Sequence, residues 1–426
     1  MVPHGRARRL RWRAGVCEGI PRRARARLPD AAGRRAGAVR RVFAAADHAP
    51  AAPRPGLRLD HHRHVFRRHA LSHARLDHLA AREARPLERR RLVRHDLRRR
   101  APRAGADHLL RTDSMARVLV IRGGAVGDFI LTMPALRLLG ESLPQCQIEV
   151  LGYPGIASLA VKAGLAASTR ALEHGGMARL FAKGAEVEEA LADYLRGFNM
   201  VVSYLFDPDG VFRDNLARAG VKTLIECPHQ VRPGQGHAAL QLARPLERLA
   251  IFADEPGWRR PFFPGPEVSE HSLPLIAIHP GSGSEKKNWP LERWLHVAAE
   301  LRAARPELRV VFITGEAEEA RGLIQQIPAG EERWHMLPLT ELAGRLARCA
   351  AFLGHDSGIS HLAAACGLPC LLLFGPTDPA LWAPPQEGVR VLPSESGLLT
   401  GLDAGRVSRT ARAWLEEITA KGKSVL

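Results

Sequence analysis

The sequence predicts an α/β protein with two open parallel sheets, each flanked by helices, that face one another across a cleft. Short apolar runs alternate with helical patterns from residue 116 to residue 420, which is the order of elements in parallel α/β sheets. A proline-rich stretch, Pro256–Pro274, divides the series into two halves and predicts an interdomain linker. Polar, glycine-rich turns follow several of the apolar runs, at the position where such sheets bind ligands.

The first half begins with a buried strand that leads directly into a glycine-rich turn and a helix. The alternation of strands and helices continues to residue 225, and residues 226–250 carry no clear pattern. In chain order we predict strand Val118–Arg122, helix Phe129–Ser142, strand Ile148–Gly152, helix Val187–Arg196, strand Met200–Ser203, a short helix ending at Asn215–Ala219, and strand Lys222–Ile225. These elements predict a first parallel-sheet domain over residues 115–260.

The second half repeats this plan and predicts a second parallel-sheet domain over residues 261–426. Its most informative part is a strand ending at Phe352 and Leu353, a polar turn over His355–Ser360, and an Ala-rich helix. The elements predicted in chain order are strand Leu275–His279, helix Leu291–Ala304, strand Arg309–Thr314, helices Glu318–Gln326, Leu339–Cys349 and His361–Cys366, strand Cys370–Phe374, and a last helix from about Asp403 to Ala420.

Residues 1–114 differ in composition from the rest of the chain. They hold 30 of the 62 basic residues, all of them Arg, and 10 of the 44 acidic residues, so the +18 net charge belongs to this leader. No apolar period holds within it, so it cannot bury enough surface to offset its ordering entropy. Three interpretations follow: a basic disordered arm that binds nucleic acid or anionic lipid, an inert tail, or translated upstream DNA before a true start at Met115. We favour the last.

The composition from Met115 onward argues against several classes of protein. Basic and acidic residues nearly balance there, so we expect no nucleic-acid partner for the folded part. No apolar run of 18 or more residues occurs, so no membrane-spanning helix is predicted. The six cysteines are scattered without a C-x-x-C pair, which is typical of reduced thiols in a cytoplasmic protein. The D-x-D-like string at 207–209 is explained by a proline-containing turn, so no metal site is predicted.

The turn Gly123–Asp128 places a carboxylate at the start of a helix. Its glycines allow a ligand to approach the backbone closely, and Asp128 can act on that ligand or can simply cap the helix. The spacing does not match the G-x-G-x-x-G turn of dinucleotide-binding sites. A carboxylate pointing at a phosphate would be unfavourable, so this turn is not a simple phosphate cradle.

Two loops of the second half carry groups suited to binding an anion. The loop His279–Trp289 offers Ser and Gly donors together with Lys286 and Lys287, although a lysine pair on a loop is commonly only solvated. The turn Asp356–His361 precedes a helix whose free N–H groups can bind phosphate. Its Asp can instead be a helix cap and its His a buried core residue.

These segments together resemble glycosyltransferase family 9, the family of ADP-heptose–lipopolysaccharide heptosyltransferases. The resemblance rests on RGGAVGDFILTMPAL (122–136), IHPGSGSEKKNWP (278–290), GHDSGISHLAAACGLP (354–369) and LFGPTDPALW (373–382). It extends from Met115 to about Val425 and is weak between Tyr153 and Trp258, where the family binds its acceptor. Residues 1–114 have no counterpart in it.

The resemblance implies a B-type glycosyltransferase fold, with the acceptor in the first domain and an ADP-sugar donor in the second. The implied reaction is inverting transfer of a heptose from ADP-heptose to a hydroxyl of inner-core lipopolysaccharide, in the cytoplasm or at the inner face of the cytoplasmic membrane. No cofactor or metal is implied. Asp128 would be the general base. The implied donor-binding residues are Ser282, Lys287, Glu319, Asp356, Ser357, Gly358 and His361, with Glu316 and Glu318 as alternatives to Glu319 and with Thr377 and Asp378 nearby.

Two other functions remain open at this stage. A transferase of the same fold could use another nucleotide sugar or another surface glycan, because the variable acceptor half sets that specificity. A protein of another class would bind nucleic acid or membrane through the basic leader. Mass spectrometry of reaction products distinguishes the first alternative, and the intact mass of the native protein distinguishes the second.

Overall fold

The computed structural model describes residues 115–173, 176–265 and 274–423, and it contains two parallel sheets, as predicted. The first sheet has the strand order β3-β2-β1-β4-β5 and the second has the order β11-β10-β9-β6-β7-β8. The strands are β1 Ala116–Arg122, β2 Cys146–Gly152, β3 Ser168–Ala171, β4 Met200–Ser203, β5 Leu224–Glu226, β6 Leu275–Ile278, β7 Arg309–Thr314, β8 Glu332–His335, β9 Ala351–His355, β10 Cys370–Phe374 and β11 Val389–Pro393.

Both sheets are doubly wound. In each, the chain adds strands from the centre to one edge, returns to the centre, and then adds strands to the other edge. The reversal lies between β1 and β4 in the first sheet and between β6 and β9 in the second. The pairing is parallel on both sides of each central strand, with Val120 opposite Val150 and Val202, for example. The crevice outside such a reversal is where open α/β sheets bind ligands.

Helices cover both faces of each sheet, which is why the central strands are continuous apolar runs. The helices are α1 Val126–Ser142, α2 Pro154–Lys162, α3 Glu189–Arg196, α4 Val211–Arg218, α5 Ala238–Ala243, α6 Leu291–Ala304, α7 Glu316–Ala320, α8 Leu323–Gln326, α9 Leu339–Leu346, α10 Gly358–Ala365, α11 Pro379–Trp382 and α12 Ala404–Lys423. Short 3₁₀ turns lie at Met177–Phe181, Arg244–Leu249, Gly257–Arg259, Glu285–Lys287 and Leu399–Gly401.

One apolar cluster runs through both domains and fixes their contact. It includes Phe129 and Leu136 on α1, Leu362 on α10, and the inward faces of both sheets, represented by Val202 and Phe352. Two further clusters lie under the outer helices, one in each domain. Helices α1 and α10 pack against each other, so the turn before each helix is held in a fixed place at the cleft.

The structure corrects several predicted boundaries. Helix α1 begins at Val126, so Asp128 lies at its third residue; Ala125 is the N-cap and no side-chain capping bond forms. The predicted helix Glu318–Gln326 is two short helices, because Gly322 adopts a positive φ of 66° between them. His355, assigned to a turn, is the last residue of β9.

Three strands absent from the sequence prediction are edge strands. Ser168–Ala171, Glu332–His335 and Val389–Pro393 each lie at the border of a sheet, where water covers part of the strand. Their residues are mixed in polarity, so they do not form the apolar runs by which buried strands are recognised. Part of the predicted linker, residues 266–273, and the whole leader, residues 1–114, lie outside the described residues.

Within the described residues, no helix is both long and apolar enough to cross a membrane. The five cysteines of this part of the chain are free thiols. Burial holds the pKa of Cys349 and of Cys366 at about 12, so both stay protonated and act as small core residues. Cys17 lies outside the described residues.

Candidate functional site in the interdomain cleft

A cleft of about 620 Å³ opens where the loops of the two domains meet. The first domain lines it with the turn before α1 and with the start of α2. The second domain lines it with the loops that follow β6, β7 and β9. The polar lining comes from His279, Ser282, Gly283, Thr314, Gly315, Glu316, Glu318, Ser357 and Gly358, and the first domain contributes Ala125, Val126, Gly155, Ile156 and Ser158. All three of the sequence-predicted loops therefore contribute residues to this cleft or lie beside it.

The N-terminal turns of α1 and α10 touch each other at the cleft. A Cβ atom on Gly358 would lie 2.8 Å from the Val126 Cβ and 3.0 Å from the Gly127 nitrogen. The imidazole of His361 approaches the other side of the same contact, against Gly127. Gly358 is therefore required by the close approach of the two domains, and this contact sets the position of Asp128 relative to α10.

Asp128 projects from the first turn of α1 with 42% of its side chain exposed. Its nearest charged neighbour is Arg122, whose Nη2 atom lies 4.0 Å from the Asp128 Oδ1 atom. This separation is too long for a close ion pair, so the carboxylate keeps its capacity to accept a proton or a hydrogen bond. The position allows Asp128 to meet a ligand hydroxyl at the edge of the cleft.

Arg122 is a buried cation at the carboxyl end of β1. Its guanidinium lies over the Tyr204 ring, 5.5 Å from the centroid, and donates a long hydrogen bond of 3.5 Å to the Asp128 carbonyl. Its Nε atom is buried and has no partner among the described residues. Burial lowers the pKa of Arg122 in opposition to the Asp128 charge, although an arginine so placed still carries its charge at neutral pH.

Lys287 is held in place by Asp356 across the second domain. The Lys287 Nζ atom lies 2.7 Å from Asp356 Oδ2, and the Thr377 hydroxyl donates to the same oxygen at 2.7 Å. Asp356 is nearly buried while 32% of the Lys287 side chain is exposed. The ammonium therefore keeps donors for an anion while its position is fixed. Lys286, its neighbour in sequence, is exposed.

Ser357 caps α10 and leaves the first N–H groups of that helix for a ligand. Its hydroxyl accepts a hydrogen bond from the Ser360 N–H at 3.2 Å, and His279 Nδ1 lies 3.2 Å from the same oxygen. The N–H groups of Gly358 and Ile359 lie in the first helical turn, where no intrahelical acceptor is available. Together with the helix dipole they favour binding of a phosphate group.

The three candidate glutamates after β7 occupy different surroundings. Glu318 is buried and lines the cleft; its Oε2 accepts the Gly315 N–H at 2.8 Å and lies 3.6 Å from His279 Nε2. Burial would raise the pKa of Glu318, but His279 and the Gly315 N–H lower it to about 2. Glu316 also lines the cleft. Glu319 is half exposed, with Oε1 3.9 Å from His335 Nε2.

The hydroxyl of Ser282 is engaged inside its own loop. It donates toward the Ser284 carbonyl and the Asn288 side-chain oxygen, each at 2.7 Å. Arg321 stabilises the same loop by donating hydrogen bonds to the carbonyl groups of Ser282 and Gly283. Ser282 lines the cleft as a buried residue, so the loop is held in one shape before any ligand arrives.

Two buried histidines lie beneath the site. Burial lowers the pKa of His361 to about 4 and that of His355 to about 3, so both rings are neutral at pH 7. His361 has a buried Nδ1 atom without a partner among the described residues. His355 Nε2 accepts from the Trp289 N–H at 2.9 Å and from Trp294 Nε1 at 3.0 Å, which ties the lysine loop to β9.

The sequence prediction did not identify the apolar end of the cleft. Trp334 lies in β8, Leu337 and Leu339 follow that strand, and Ile313 lies near the end of the neighbouring strand β7. Their side chains form an apolar wall of the cleft. The missed edge strand β8 is the reason, because it carries these residues to the cleft. Among the described residues, no group of three or more His, Cys, Asp or Glu side chains is arranged to hold a metal ion.

Comparison with known proteins agrees with this geometry. A model of glycosyltransferase family 9 (heptosyltransferase) matches residues 247–399, which contain both loops that the sequence predicts to bind an anion. Over these residues the chain is similar to that family, and its curated relatives are heptosyltransferases. It is therefore a glycosyltransferase, as the resemblance of its loops predicted.

This glycosyltransferase is similar to curated heptosyltransferases. It is 26% identical over 297 residues to lipopolysaccharide heptosyltransferase 1 of Pseudomonas aeruginosa, covering 62% of this chain and 79% of the relative. It is 23% identical over 292 residues to lipopolysaccharide heptosyltransferase 1 of Escherichia coli K12, covering 62% and 89%.

Solved structures of this family share the two-domain fold. A family 9 glycosyltransferase from Veillonella parvula superposes with a TM-score of 0.57 at 19% identity, over 71% of this chain and 97% of the other. The E. coli heptosyltransferase WaaC with ADP superposes with a TM-score of 0.54 at 18% identity, over 70% and 99%. The predicted fold, two Rossmann-like domains of the B-type glycosyltransferase arrangement, is confirmed.

Proposed function

We propose that this glycosyltransferase moves a heptose from ADP-heptose to a hydroxyl of inner-core lipopolysaccharide, with inversion at the anomeric carbon. One observation supports the proposal above the others. The start of α1, which carries the exposed carboxylate of Asp128, and the start of α10 both line a single cleft and touch through Gly127 and Gly358. The curated relatives bear the name lipopolysaccharide heptosyltransferase, which supports the choice of sugar and acceptor.

Asp128 is proposed as the general base. In an inverting transfer the acceptor oxygen forms a bond to the anomeric carbon while the bond from that carbon to the diphosphate oxygen breaks. The acceptor proton passes to the Asp128 carboxylate, which is exposed toward ligand and not consumed by a close ion pair. A positioned base typically contributes ~10²–10⁴-fold to the rate.

The start of α10 and Lys287 are proposed to stabilise the departing ADP. Negative charge grows on the diphosphate as the sugar leaves, and the N–H groups that follow Ser357 are fixed before the reaction begins. Lys287 adds a positive charge whose position Asp356 and Thr377 determine. Asp356 therefore acts in this proposal by positioning the lysine rather than by touching the diphosphate.

The loops after β7 and β8 are proposed to bind the nucleoside. The apolar wall beside Trp334 suits a flat base, and a carboxylate next to Gly315 suits the ribose hydroxyls, because a carboxylate accepts hydrogen bonds from both. Glu319 remains our prediction from the sequence for this role. Glu318 and Glu316 are the alternatives that line the cleft, and Glu318 has an oxygen without a partner among the described residues.

The two domains have different roles in this proposal. We propose that residues 115–260 bind the acceptor and that residues 261–426 bind the donor, with Ser282 and His361 completing the diphosphate site as supports of its loop and helix. The acceptor in this proposal is a membrane-associated glycan, so we place the reaction at the cytoplasmic face of the inner membrane.

Mass spectrometry of products tests the proposal against its alternative, transfer of another sugar. The purified protein is incubated with a heptose-free inner-core saccharide and, in parallel, with ADP-heptose, ADP-glucose, UDP-glucose and GDP-mannose. We expect a product enlarged by one heptose with ADP-heptose alone. Transfer from a different nucleotide sugar in preference to ADP-heptose would contradict the proposed donor while leaving the glycosyltransferase assignment intact.

A further inference from the structure

A second cavity, of about 230 Å³, lies in the first domain and is not used by the donor site described above. It opens at the carboxyl ends of β4 and β5, between the loops that follow these two strands. Ser203 and Glu226, the last residues of the two strands, line it together with Phe206 and His229 from the loops. This is the edge of the sheet at which parallel α/β domains bind ligands.

An exposed aromatic face forms one wall of this cavity. The Phe206 side chain is 56% exposed, although large apolar residues are normally covered. Its ring packs on the His229 ring with centroids 4.3 Å apart, so the face is held rather than free to rotate away. A fixed ring with one open face is suited to stack on the apolar C–H face of a sugar.

Polar groups surround that aromatic face in two distinct roles. Asp207 is occupied, because its two carboxylate oxygens accept the N–H groups of Phe212 and Arg213 at 3.0 and 2.9 Å and so fix the loop. Glu226 and His229 line the cavity and can form hydrogen bonds with hydroxyl groups. The combination of one apolar face and a few polar groups is typical of small-molecule sites.

The cavity lies within reach of the proposed base. Strand β4 is next to β1, whose end leads into the turn before Asp128, and β5 is next to β4. Two strand spacings amount to roughly 10 Å, a span that an acceptor of two or more sugar rings can cross. Arg122, at the end of β1, has its Nη2 atom 4.0 Å from Asp128 Oδ1. Burial and then the Arg122 charge lower the pKa of His229, which is consistent with their common place at this end of the sheet.

We propose that this cavity binds a saccharide unit of the acceptor next to the unit that carries the reacting hydroxyl, with Phe206 as the stacking face and Glu226 and His229 as hydrogen-bonding groups. The proposal rests on the proposed function, since it assigns a site to that reaction's acceptor. It adds a specificity-determining surface that is separate from both the base and the donor cleft.

The test compares Phe206→Ala with Phe252→Ala in the full-length protein. Phe252 is a matched control, because it is also an exposed phenylalanine of the first domain, at 62%, and lines neither cavity. We expect Phe206→Ala to raise the acceptor KM about tenfold, the value of one lost aromatic contact. The donor KM and the slow hydrolysis of donor by water should stay at wild-type values, and Phe206→Tyr should restore the acceptor KM.

Direct binding separates failure of this inference from failure of the proposed function. Calorimetry measures binding of the heptose-free inner-core saccharide to wild type, Phe206→Ala and Glu226→Gln, without donor. Binding to wild type that weakens in both variants supports the inference even if no heptose is transferred. Absence of binding to wild type, or equal acceptor KM values for Phe206→Ala and Phe252→Ala, would overturn it.

Discussion

The two domains share one strand order but differ in the chemistry at their ligand-binding edges. In the second domain, three loops bring a held lysine, a capped helix start and a buried glutamate to one cleft. In the first domain, the corresponding edge carries the exposed carboxylate of Asp128 and an aromatic cavity whose lining includes Glu226. We therefore propose that the same fold forms an anion site in one half and a site for neutral hydroxyl groups in the other.

The difference explains why the donor site of a two-domain transferase is easier to predict from sequence than the acceptor site. Binding a diphosphate needs fixed N–H donors and a positive charge, and these requirements restrict residue type at several neighbouring positions. Binding a glycan needs only stacking faces and scattered hydrogen-bonding groups, which many residue types supply. Substitutions on the two sides of the cleft should therefore have separable effects on donor and acceptor.

The largest expected effect is that of Asp128→Asn. Turnover should fall by about two to four orders of magnitude, because the amide cannot take the acceptor proton. Structure should be retained, since Asp128 makes no side-chain capping bond in α1. Steady-state turnover of the folded variant is the measurement.

Asp193→Asn is the control for this substitution. Asp193 is an exposed acid of the first domain that lines neither cavity, and its ion pair with Arg196 is at the surface. It should leave turnover unchanged. Near-normal turnover in Asp128→Asn would show that Asp128 is not the general base.

The next largest effect should separate two adjacent lysines. Lys287→Ala removes the ammonium that Asp356 holds and should cost roughly 1.5–3 kcal/mol of donor binding, or about ten- to a hundredfold in kcat/KM for the donor. Lys286→Ala should do little, because that side chain is exposed. Equal, small effects in donor-dependent kinetics would mean that both lysines are merely solvated.

A pair of glycine substitutions tests the contact between the two domains. Gly358→Ala should destabilise the protein by about 1–3 kcal/mol, because the new methyl group meets the Val126 side chain and the Gly127 backbone. Gly140, in helix α1, has open space around it, so Gly140→Ala should be neutral or slightly stabilising. Denaturant midpoints measure both. A neutral Gly358→Ala would show that the two helix starts are not in close contact.

The smallest effect concerns pH. Burial lowers the pKa of His355 to about 3, so the folded protein keeps this ring neutral, whereas the unfolded chain binds a proton near pH 6.5. Well above pH 6.5 the ring is neutral in both the folded and the unfolded state. As the pH falls toward 3, only the unfolded chain binds the proton, so the free energy of unfolding should fall by about 2 kcal/mol between pH 7 and pH 5.

Urea unfolding at pH 7 and at pH 5 measures this loss. His355→Gln should reduce the difference between the two pH values, and His296→Gln, which changes an exposed histidine, should not. An unchanged difference in His355→Gln would assign the pH dependence to other groups.

The central strands and the loops after them could be predicted from the sequence because burial on both faces forces continuous apolar runs. Strands Met200–Ser203, Arg309–Thr314 and Cys370–Phe374 were predicted with the boundaries that the structure shows. The edge strand β5 was predicted with shifted bounds, as Lys222–Ile225. The other three edge strands, β3, β8 and β11, could not be predicted, since water replaces one neighbour and relaxes the need for apolar residues.

The site was predictable only where one short segment carries several of its groups. The turns that hold Asp128 and Ser357 are contiguous in sequence, so they could be recognised. The pairing of Lys287 with Asp356 spans 69 residues, and the Phe206–His229 wall joins two separate loops. Such contacts depend on the order of the strands in the sheet, which no short segment of the sequence determines.

Calorimetric titration with ADP tests most directly the claim that the second domain binds the donor and the first supplies the base. Wild type and Asp128→Asn should bind ADP with the same affinity, and Lys287→Ala should bind it at least tenfold more weakly. Loss of ADP binding in Asp128→Asn, or wild-type binding in Lys287→Ala, would contradict this division between the domains.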